Sequence, residues 1–154
     1  MAEILRFRKK LAGALPRPTM PPGVSLLPVA EAEPASLHAL LFAAYTNDFG
    51  SVPPLEEWWP QTVNDEEFDS AFLFILGDAD GNPVALALCW NSGFIKDLVV
   101  AEAWRGRGLG EALLLTVFAT FAERGFDHVD LKVMAANAPA IRLYRRVGME
   151  EVAI

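Results

Sequence analysis

Hydrophobic and polar positions follow two different patterns along this chain. Between residues 33 and 63, apolar residues recur at helical spacing in "EPASLHALLFAAY" and "PPLEEWWPQTV", which predict a helix and a second, shorter helix. From residue 71 to residue 100 the pattern changes to apolar runs separated by turn-forming residues, "AFLFILG", "VALALCW" and "GFIKDLVV". These runs predict three strands, the first two of them joined as a hairpin.

The last third of the chain returns to helical spacing. Apolar positions from Leu109 to Phe121 mark one face of a long helix that closes near Gly125. "HVDLKVM" then predicts a strand, and a final helix is indicated by Asn137 as its cap and Gly148 just past its end. "MEEVAI" leaves room for one more strand. A short strand is also predicted over residues 24–28.

The beginning of the chain is basic and rich in proline. Residues 1–23 end in "PRPTMPPG", which indicates an extended leader rather than a folded element. We therefore predict a leader over 1–23 and one domain over 24–154, because 154 residues suffice for a single core. With 53% hydrophobic and 21% charged residues, the chain has the composition of a globular protein rather than a disordered one.

Cysteine content and hydropathy bear on the compartment. Cys89 is the single cysteine, so no internal disulfide can form, and its apolar run predicts a buried side chain rather than a nucleophile. No apolar stretch approaches the roughly 18 residues that span a bilayer. The sequence thus predicts a cytoplasmic protein without a membrane segment.

Charge is distributed unevenly. The net charge is −7, and no lysine or arginine occurs between Arg17 and Lys96, a stretch that contains eleven acidic residues. Such asymmetry indicates either a solvated acidic face or a surface for a partner. The overall acidity argues against nucleic acid as that partner.

One loop points to chemistry. "AWRGRGLGEALL" places three glycines at alternate positions between a predicted strand and a helix. Glu111 stands where a dinucleotide fingerprint needs glycine, and the Gly-Lys-Ser/Thr ending of a P-loop is absent. A glycine-rich helix start flanked by Arg105 and Arg107 nevertheless suits an anion, so we expect a phosphate or pyrophosphate here. The alternative is a plain turn with solvated arginines.

Two motifs resemble the GCN5-related N-acetyltransferase (GNAT) family. Arg105, Gly108 and Gly110 match its Arg/Gln-x-x-Gly-x-Gly/Ala signature, and "NAPAIRLYRRVGM" is similar to its later helix. The resemblance implies an α/β (α+β) fold: a mixed, mostly antiparallel twisted sheet flanked by helices, with acetyl-CoA between splayed central strands. It implies acetyl-CoA as co-substrate and no metal.

The resemblance also implies roles for individual residues. Tyr144 would be the general acid that protonates the leaving thiolate, and Val100 would polarise the thioester carbonyl through its N–H. Tyr144 could instead be a core aromatic, and Asn137 only a helix cap. The residues expected to bind the cofactor are Leu98, Val99 and Val100 along the pantetheine arm, Arg105, Gly106, Arg107, Gly108, Leu109 and Gly110 around the pyrophosphate, and Asn137 near the arm.

The family mechanism implies direct attack by a primary amine in a ternary complex, which requires a base. Some relatives carry a glutamate on the strand before the loop, where this chain has Phe94 or Lys96. Asp97 is expected on the opposite face unless a bulge intervenes. The base is therefore left open, with Glu56, Glu57, Asp48 and His38 as the candidates.

The acceptor is the least determined part. Tyr45, Phe49, Trp58 and Trp59 occur beside carboxylates, which suits a cationic small molecule or a peptide N-terminus. A small polyamine, an amino sugar, an amino acid and a protein N-terminus all stay open as acceptors. A non-catalytic acyl-CoA-binding sensor is the alternative function. Relatives usually continue with two C-terminal strands where this chain has room for one, so we expect the leader or a second protomer, as in a homodimer, to cover the sheet edge.

Overall fold

The structure, a computed structural model, describes residues 3–45 and 51–154, which form one sheet with helices on both faces. The strands are β1 (Ile4–Lys10), β2 (Ser25–Leu26), β3 (Leu73–Gly77), β4 (Pro83–Trp90), β5 (Phe94–Val100), β6 (His128–Met134) and β7 (Glu150–Val152). The helices are α1 (Pro34–Tyr45), α2 (Leu55–Val63), α3 (Leu109–Glu123) and α4 (Ala138–Arg146). Every helix and strand predicted between residues 24 and 154 is present.

The seven strands lie in the order β2-β3-β4-β5-β6-β1-β7. All neighbours pair antiparallel except β5 and β6, which are parallel. The predicted class, a mixed and mostly antiparallel sheet flanked by helices, is confirmed. No helix within the described residues is both long and apolar enough to cross a membrane.

Each face of the sheet has its own core. On one face, α3 and α4 contribute Phe118, Phe121 and Tyr144 to a large cluster that also contains Phe7 of β1. On the other face, α1 and α2 pack Leu37, Leu41 and Trp58 on strands β3, β4 and β5. Helix α1 contacts β4 and β5, so the second core lies over the middle of the sheet.

The expectation of an unfolded leader over residues 1–23 is wrong for Ile4–Lys10. These residues form β1, which pairs with β6 on one side and with β7 on the other. Their polar and apolar positions alternate: Phe7 is 0% exposed in the core, whereas Arg6 and Arg8 point to the other face and bind Asp130. The leader thus covers the edge of β6, as one version of the edge prediction requires. The homodimer stays a prediction.

Candidate functional site

The two parallel strands at the centre of the sheet are paired over a short stretch only. Strands β5 and β6 pair over Phe94 and Ile95 and then diverge. A cavity of about 600 Å³ is lined mainly by β5, the glycine loop and α4, and one of about 270 Å³ is lined mainly by β5 and β6. Tyr45, Leu98 and Asn137 line both cavities, so the two meet at these side chains.

The glycine loop closes one end of the larger cavity. Gly108 stands at the N-cap of α3 with φ near +87°, a conformation that side chains rarely adopt, and no side chain caps the helix. A Cβ at Gly110 would lie 2.9 Å from Leu143 Cδ2, so glycine permits close packing of α3 on α4. Among the described residues, Ala112 is the first of this turn to donate its N–H within the chain, to the Gly108 carbonyl at 3.0 Å. The preceding amides remain available to an anion, which fits a phosphate group.

The residues expected to bind the cofactor are brought together. All of them except Arg107 line the larger cavity: Leu98, Val99, Val100, Arg105, Gly106, Gly108, Leu109, Gly110 and Asn137. Arg107 instead stacks its guanidinium 4.8 Å from the centre of the Trp104 ring. Arg105 Nε donates to the Val100 carbonyl at 3.2 Å, which ties the loop to the end of β5.

Sequence reasoning missed part of this lining. Trp104, Leu143 and Arg146 also line the larger cavity. Arg146 Nε donates to Glu111 Oε1 at 3.2 Å, an ion pair that joins α4 to the first turn of α3. The only available signal was the basic end of α4, "RLYRR", which resembles an ordinary complement to the helix dipole.

Tyr144 lines the smaller cavity rather than the larger one. It is 7% exposed, its ring centroid lies 6.0 Å from that of Phe7, and its hydroxyl has no hydrogen-bond partner among the described residues. Burial raises the pKa of Tyr144 to about 12. The hydroxyl therefore stays protonated at neutral pH, as a proton donor must.

Asn137 has the structural role that the alternative assigned to it. Its side-chain oxygen accepts a hydrogen bond from the Ala140 N–H at 3.3 Å and so caps α4. The same residue lines both cavities. Capping fixes the position of the side chain at the junction, and a contact with the cofactor stays a prediction.

A β-bulge changes the position of Asp97. Leu88 of β4 pairs with Asp97 and Cys89 pairs with Ile95, so Lys96 has no partner across the strands. The extra residue turns Asp97 toward α1, where it is 6% exposed. Tyr45 Oη donates to Asp97 Oδ1 at 2.5 Å, and Lys96 Nζ donates to Oδ2 at 3.1 Å. The bulge that the sequence analysis named as the exception is thus present, and Asp97 lies on the α1 face of the sheet.

Tyr45 connects this buried carboxylate to the cavities. Burial raises its pKa, and the charge of Asp97 and the hydrogen bond to it raise the pKa further. The Tyr45 hydroxyl therefore remains protonated and donates to Asp97 at neutral pH. The sequence identified Tyr45 only as one aromatic residue of the acceptor region.

The other candidate bases are not at the junction. Glu56 and Glu57 are exposed on α2, and His38 Nε2 lies 2.7 Å from the Pro53 carbonyl oxygen. None of these three lines either cavity, and Trp58 and Trp59 pack in the core under α1 and α2. Asp48 and Phe49 lie outside the described residues.

Two further features bear on the chemistry. Cys89 is 0% exposed, and burial raises the pKa of its thiol, so its position confirms a buried side chain rather than a nucleophile. Within residues 3–45 and 51–154, no three His, Cys, Asp or Glu side chains are grouped as a metal site would require.

Comparison with known proteins identifies the family. The profile described as "Acetyltransferase (GNAT) family" matches residues 35–149. The mycothiol acetyltransferase of Clavibacter sepedonicus is 40% identical over 90 residues, which cover 56% of this chain and 30% of that protein. The streptothricin acetyltransferase of Streptomyces lavendulae is 34% identical over 108 residues, which cover 62% of this chain and 57% of that protein.

A solved structure covers nearly the whole chain. The GCN5-related N-acetyltransferase of Sphaerobacter thermophilus superimposes with a TM-score of 0.78 at 29% identity, over 98% of this chain and 49% of that one. The chain thus spans less than two thirds of the length of each relative named here. Because the family profile covers most of the chain, the protein belongs to the acetyltransferase (GNAT) family.

Proposed function

We propose that this chain is an acetyl-CoA-dependent N-acetyltransferase that acetylates a primary amine by direct attack in a ternary complex. The observation that carries the proposal is the junction of the two cavities at Tyr45, Leu98 and Asn137. A cofactor in the larger cavity and an amine in the smaller one would meet there. Bound acetyl-CoA supplies the acetyl group as a thioester that an amine can attack.

The larger cavity suits the cofactor along its whole length. The free amides between Arg105 and Gly110 would hold the pyrophosphate, and the guanidinium of Arg105 adds positive charge. Residues Leu98, Val99 and Val100 would lie along the pantetheine arm, since β5 has no strand partner on the β6 side beyond Ile95. The N–H of Val100 would polarise the thioester carbonyl.

Tyr144 would supply the proton that the departing sulfur needs. A thiolate with an ordinary pKa near 8.5 departs more readily when it is protonated. The hydroxyl of Tyr144 is protonated, lines the smaller cavity and makes no hydrogen bond to another described residue. It is therefore free to donate.

Tyr45 and Asp97 would remove the proton from the amine. Tyr45 lines both cavities, whereas Asp97 lies behind it and lines neither. An amine proton would pass to the Tyr45 oxygen while the Tyr45 hydroxyl proton passes to Asp97 Oδ1, so that the carboxylate receives the proton and becomes a neutral carboxylic acid. This relay would fill the role of the base, which the sequence leaves open. It also favours an enzyme over a non-catalytic acyl-CoA sensor, because a sensor needs no such pair.

The test is the release of CoA thiol from acetyl-CoA in the presence of a panel of amines and peptides. We expect amine-dependent thiol release by the wild-type protein and mass-spectrometric detection of the acetylated amine. Binding of acetyl-CoA without transfer to any amine would instead support the sensor. Failure to bind acetyl-CoA would exclude both functions.

A further inference from the structure

On the face of the sheet that carries α1, the strands beside the smaller cavity differ from the central strands in what packs on them. Helix α1 packs over β4 and β5, and the apolar side chains of β6 and β1, such as Leu131 and Phe7, point to the α3 and α4 face. The alternate side chains of β6 and β1 point the other way, and these are largely charged. We call the group of Arg6, Arg8, Lys96, Asp130 and Lys132 the basic sheet face.

Among the residues that the structure describes, two carboxylates lie among the cations of this region, and both are already bound. Asp130 accepts from Arg6 Nε at 2.8 Å and from Arg8 Nε at 2.8 Å and Nη2 at 2.9 Å, so two guanidiniums share one carboxylate. Asp97 accepts from Tyr45 and Lys96. Glu150 stands opposite Arg8 on β7 and so lies on the far side of Arg8 from the cavity. The described residues beside the cavity therefore carry an excess of positive charge, in a chain whose net charge is −7.

Lys132 is the cation of the basic sheet face that has no counter-ion among the described residues. It is exposed, it pairs across the strands with Arg6, and its side chain forms no ion pair or hydrogen bond with another described residue. Lys96 is also accessible: its side chain is 41% exposed, and its ammonium lies 6.0 Å from the centre of the Trp90 ring. Both lysines line the smaller cavity together with Tyr45 and Tyr144.

This arrangement is unfavourable for a polycation. Among the described residues, no aspartate or glutamate lines the smaller cavity, and Glu56 and Glu57 lie elsewhere on α2. An acceptor with a second positive charge would place it beside Lys96 or Lys132 and be repelled. An acceptor with a negative charge beside its amine would gain a contact with Lys132, which costs no existing ion pair.

We propose that the acceptor is an amine that carries a carboxylate, which Lys132 and Lys96 bind while the amine reaches the Tyr45 and Tyr144 hydroxyls. The inference rests on the proposed function and replaces the cationic acceptor that the sequence suggested. The same chemistry occurs in a small amino acid and in the N-terminal part of an acidic peptide. A longer acidic acceptor would extend toward Arg6 and Arg8.

The test compares acceptors that differ in one terminal group. 4-Aminobutanoate, butylamine and 1,4-diaminobutane share a four-carbon chain and end in a carboxylate, a methyl group and an ammonium. We expect kcat/KM for the aminobutanoate to exceed both others by about tenfold or more, the effect of one charge contact worth about 1.4 kcal/mol. Ala-Glu-Glu and Ala-Lys-Lys make the same comparison for peptides. If the ratio of kcat/KM for Ala-Glu-Glu over Ala-Lys-Lys exceeds the ratio for aminobutanoate over diaminobutane, the acceptor is an acidic peptide; if it is smaller, the acceptor is a small amino acid.

Variants connect the preference to the lysine. Lys132→Glu should lower the ratio of kcat/KM for aminobutanoate over butylamine by about tenfold, through KM rather than kcat, and leave acetyl-CoA affinity unchanged. Lys132→Met, which keeps the aliphatic stem, should lower the ratio less. Arg17→Glu, which makes the same charge change at an exposed position in the leader, is the matched control and should leave the ratio as in wild type.

Three outcomes would overturn the inference while leaving the proposed function in place. The first is equal or better use of butylamine or diaminobutane, and the second is a ratio that Lys132→Glu does not change. If none of the probes is acetylated, their affinities for the CoA-saturated protein are compared by calorimetry. The third outcome is then equal affinity for aminobutanoate and diaminobutane. Absence of acetyl-CoA binding would instead remove the proposed function itself, and this inference with it.

Discussion

Tyr45 at the end of α1 donates a hydrogen bond of 2.5 Å from its hydroxyl to the buried carboxylate of Asp97 on β5. The two residues are 52 positions apart, and the bond connects the helix layer to the strand that borders both cavities. Tyr45 faces the cavities and Asp97 lies behind it. The pair can therefore move a proton away from the junction without exposing the carboxylate.

The relay predicts non-additive losses of turnover. Tyr45→Phe keeps the ring in the core and removes the hydroxyl, and Asp97→Asn keeps the shape and removes the base. Each should lower kcat by about 10²-fold at unchanged acetyl-CoA affinity, the size of a typical general-base contribution. Because the two act in series, the double variant should lose little more than Asp97→Asn alone. Steady-state kinetics of the three variants checks this, and losses that multiply would show that the residues act independently.

Tyr144→Phe should lower kcat by about 10²-fold and leave the affinity for acetyl-CoA nearly intact, because only the hydroxyl donates a proton. The loss should shrink with an acetyl thioester whose thiol is more acidic than that of CoA, since such a thiolate departs unaided. The measurement is turnover of wild type and variant with both donors at saturating amine. Full activity, or an equal loss with both donors, would mean that Tyr144 only packs against Phe7.

Asp130 should stabilise the fold in a pH-dependent way. Burial alone would raise its pKa, but the hydrogen bonds from Arg8 and Arg6 outweigh burial and hold the pKa below its ordinary value. A lowered pKa in the folded state gives stability that is present above the ordinary value near 4 and is lost as pH falls through the folded-state pKa. Asp130→Asn should therefore cost about 2 kcal/mol of unfolding free energy at pH 7, and less below about pH 4.

Urea unfolding of wild type and Asp130→Asn at pH 7 and pH 3 measures this difference. Asp80→Asn, in the exposed turn between β3 and β4, is the control and should change stability little at either pH. A difference between wild type and Asp130→Asn that is the same at both pH values would show that the two arginines do not stabilise the ionised carboxylate. It would also mean that the contacts of Arg6 and Arg8 with Asp130 contribute little to holding β1 on β6.

The elements that the sequence predicts well are those with a local signal. Helix α3 has an apolar face and a glycine start, and Gly108 with Gly110 predicts an anion site before any fold is known. The later helix carries its own cap in Asn137 and its own stop in Gly148. Local periodicity and turn chemistry decide these features, so they can be read directly.

The missed features depend on partners far along the chain. In β1, the apolar residue Phe7 lies between basic neighbours, as in a strand with one buried face. The basic residues and the prolines that follow nevertheless suggest a leader, and only the pairing with β6 makes this segment a strand. The bulge at Lys96 exists because of the register with β4, so the direction of Asp97 cannot be read from β5 alone. The role proposed for Tyr45 depends on its contact with Asp97, which forms only when α1 packs on the sheet.

Binding of acetyl-CoA, as proposed, depends on the loop from Arg105 to Gly110, which would hold the pyrophosphate. Gly108→Glu would fill the space beside the free amides and add a negative charge. A Cβ at Gly108 meets only Pro21 Cγ, at 3.9 Å, so the new side chain has room there. Gly13→Glu is the matched control, because Gly13 has a similar φ of +86° and lies in open space outside the cavity. Thermal melting of both variants establishes that they are folded.

Calorimetric titration of acetyl-CoA into wild type, Gly108→Glu and Gly13→Glu is the most direct measurement. We expect binding to wild type and to Gly13→Glu with similar affinity, and loss of binding by folded Gly108→Glu, because a carboxylate beside the amides excludes and repels the pyrophosphate. Unchanged acetyl-CoA affinity in folded Gly108→Glu would contradict the assignment and place the pyrophosphate elsewhere.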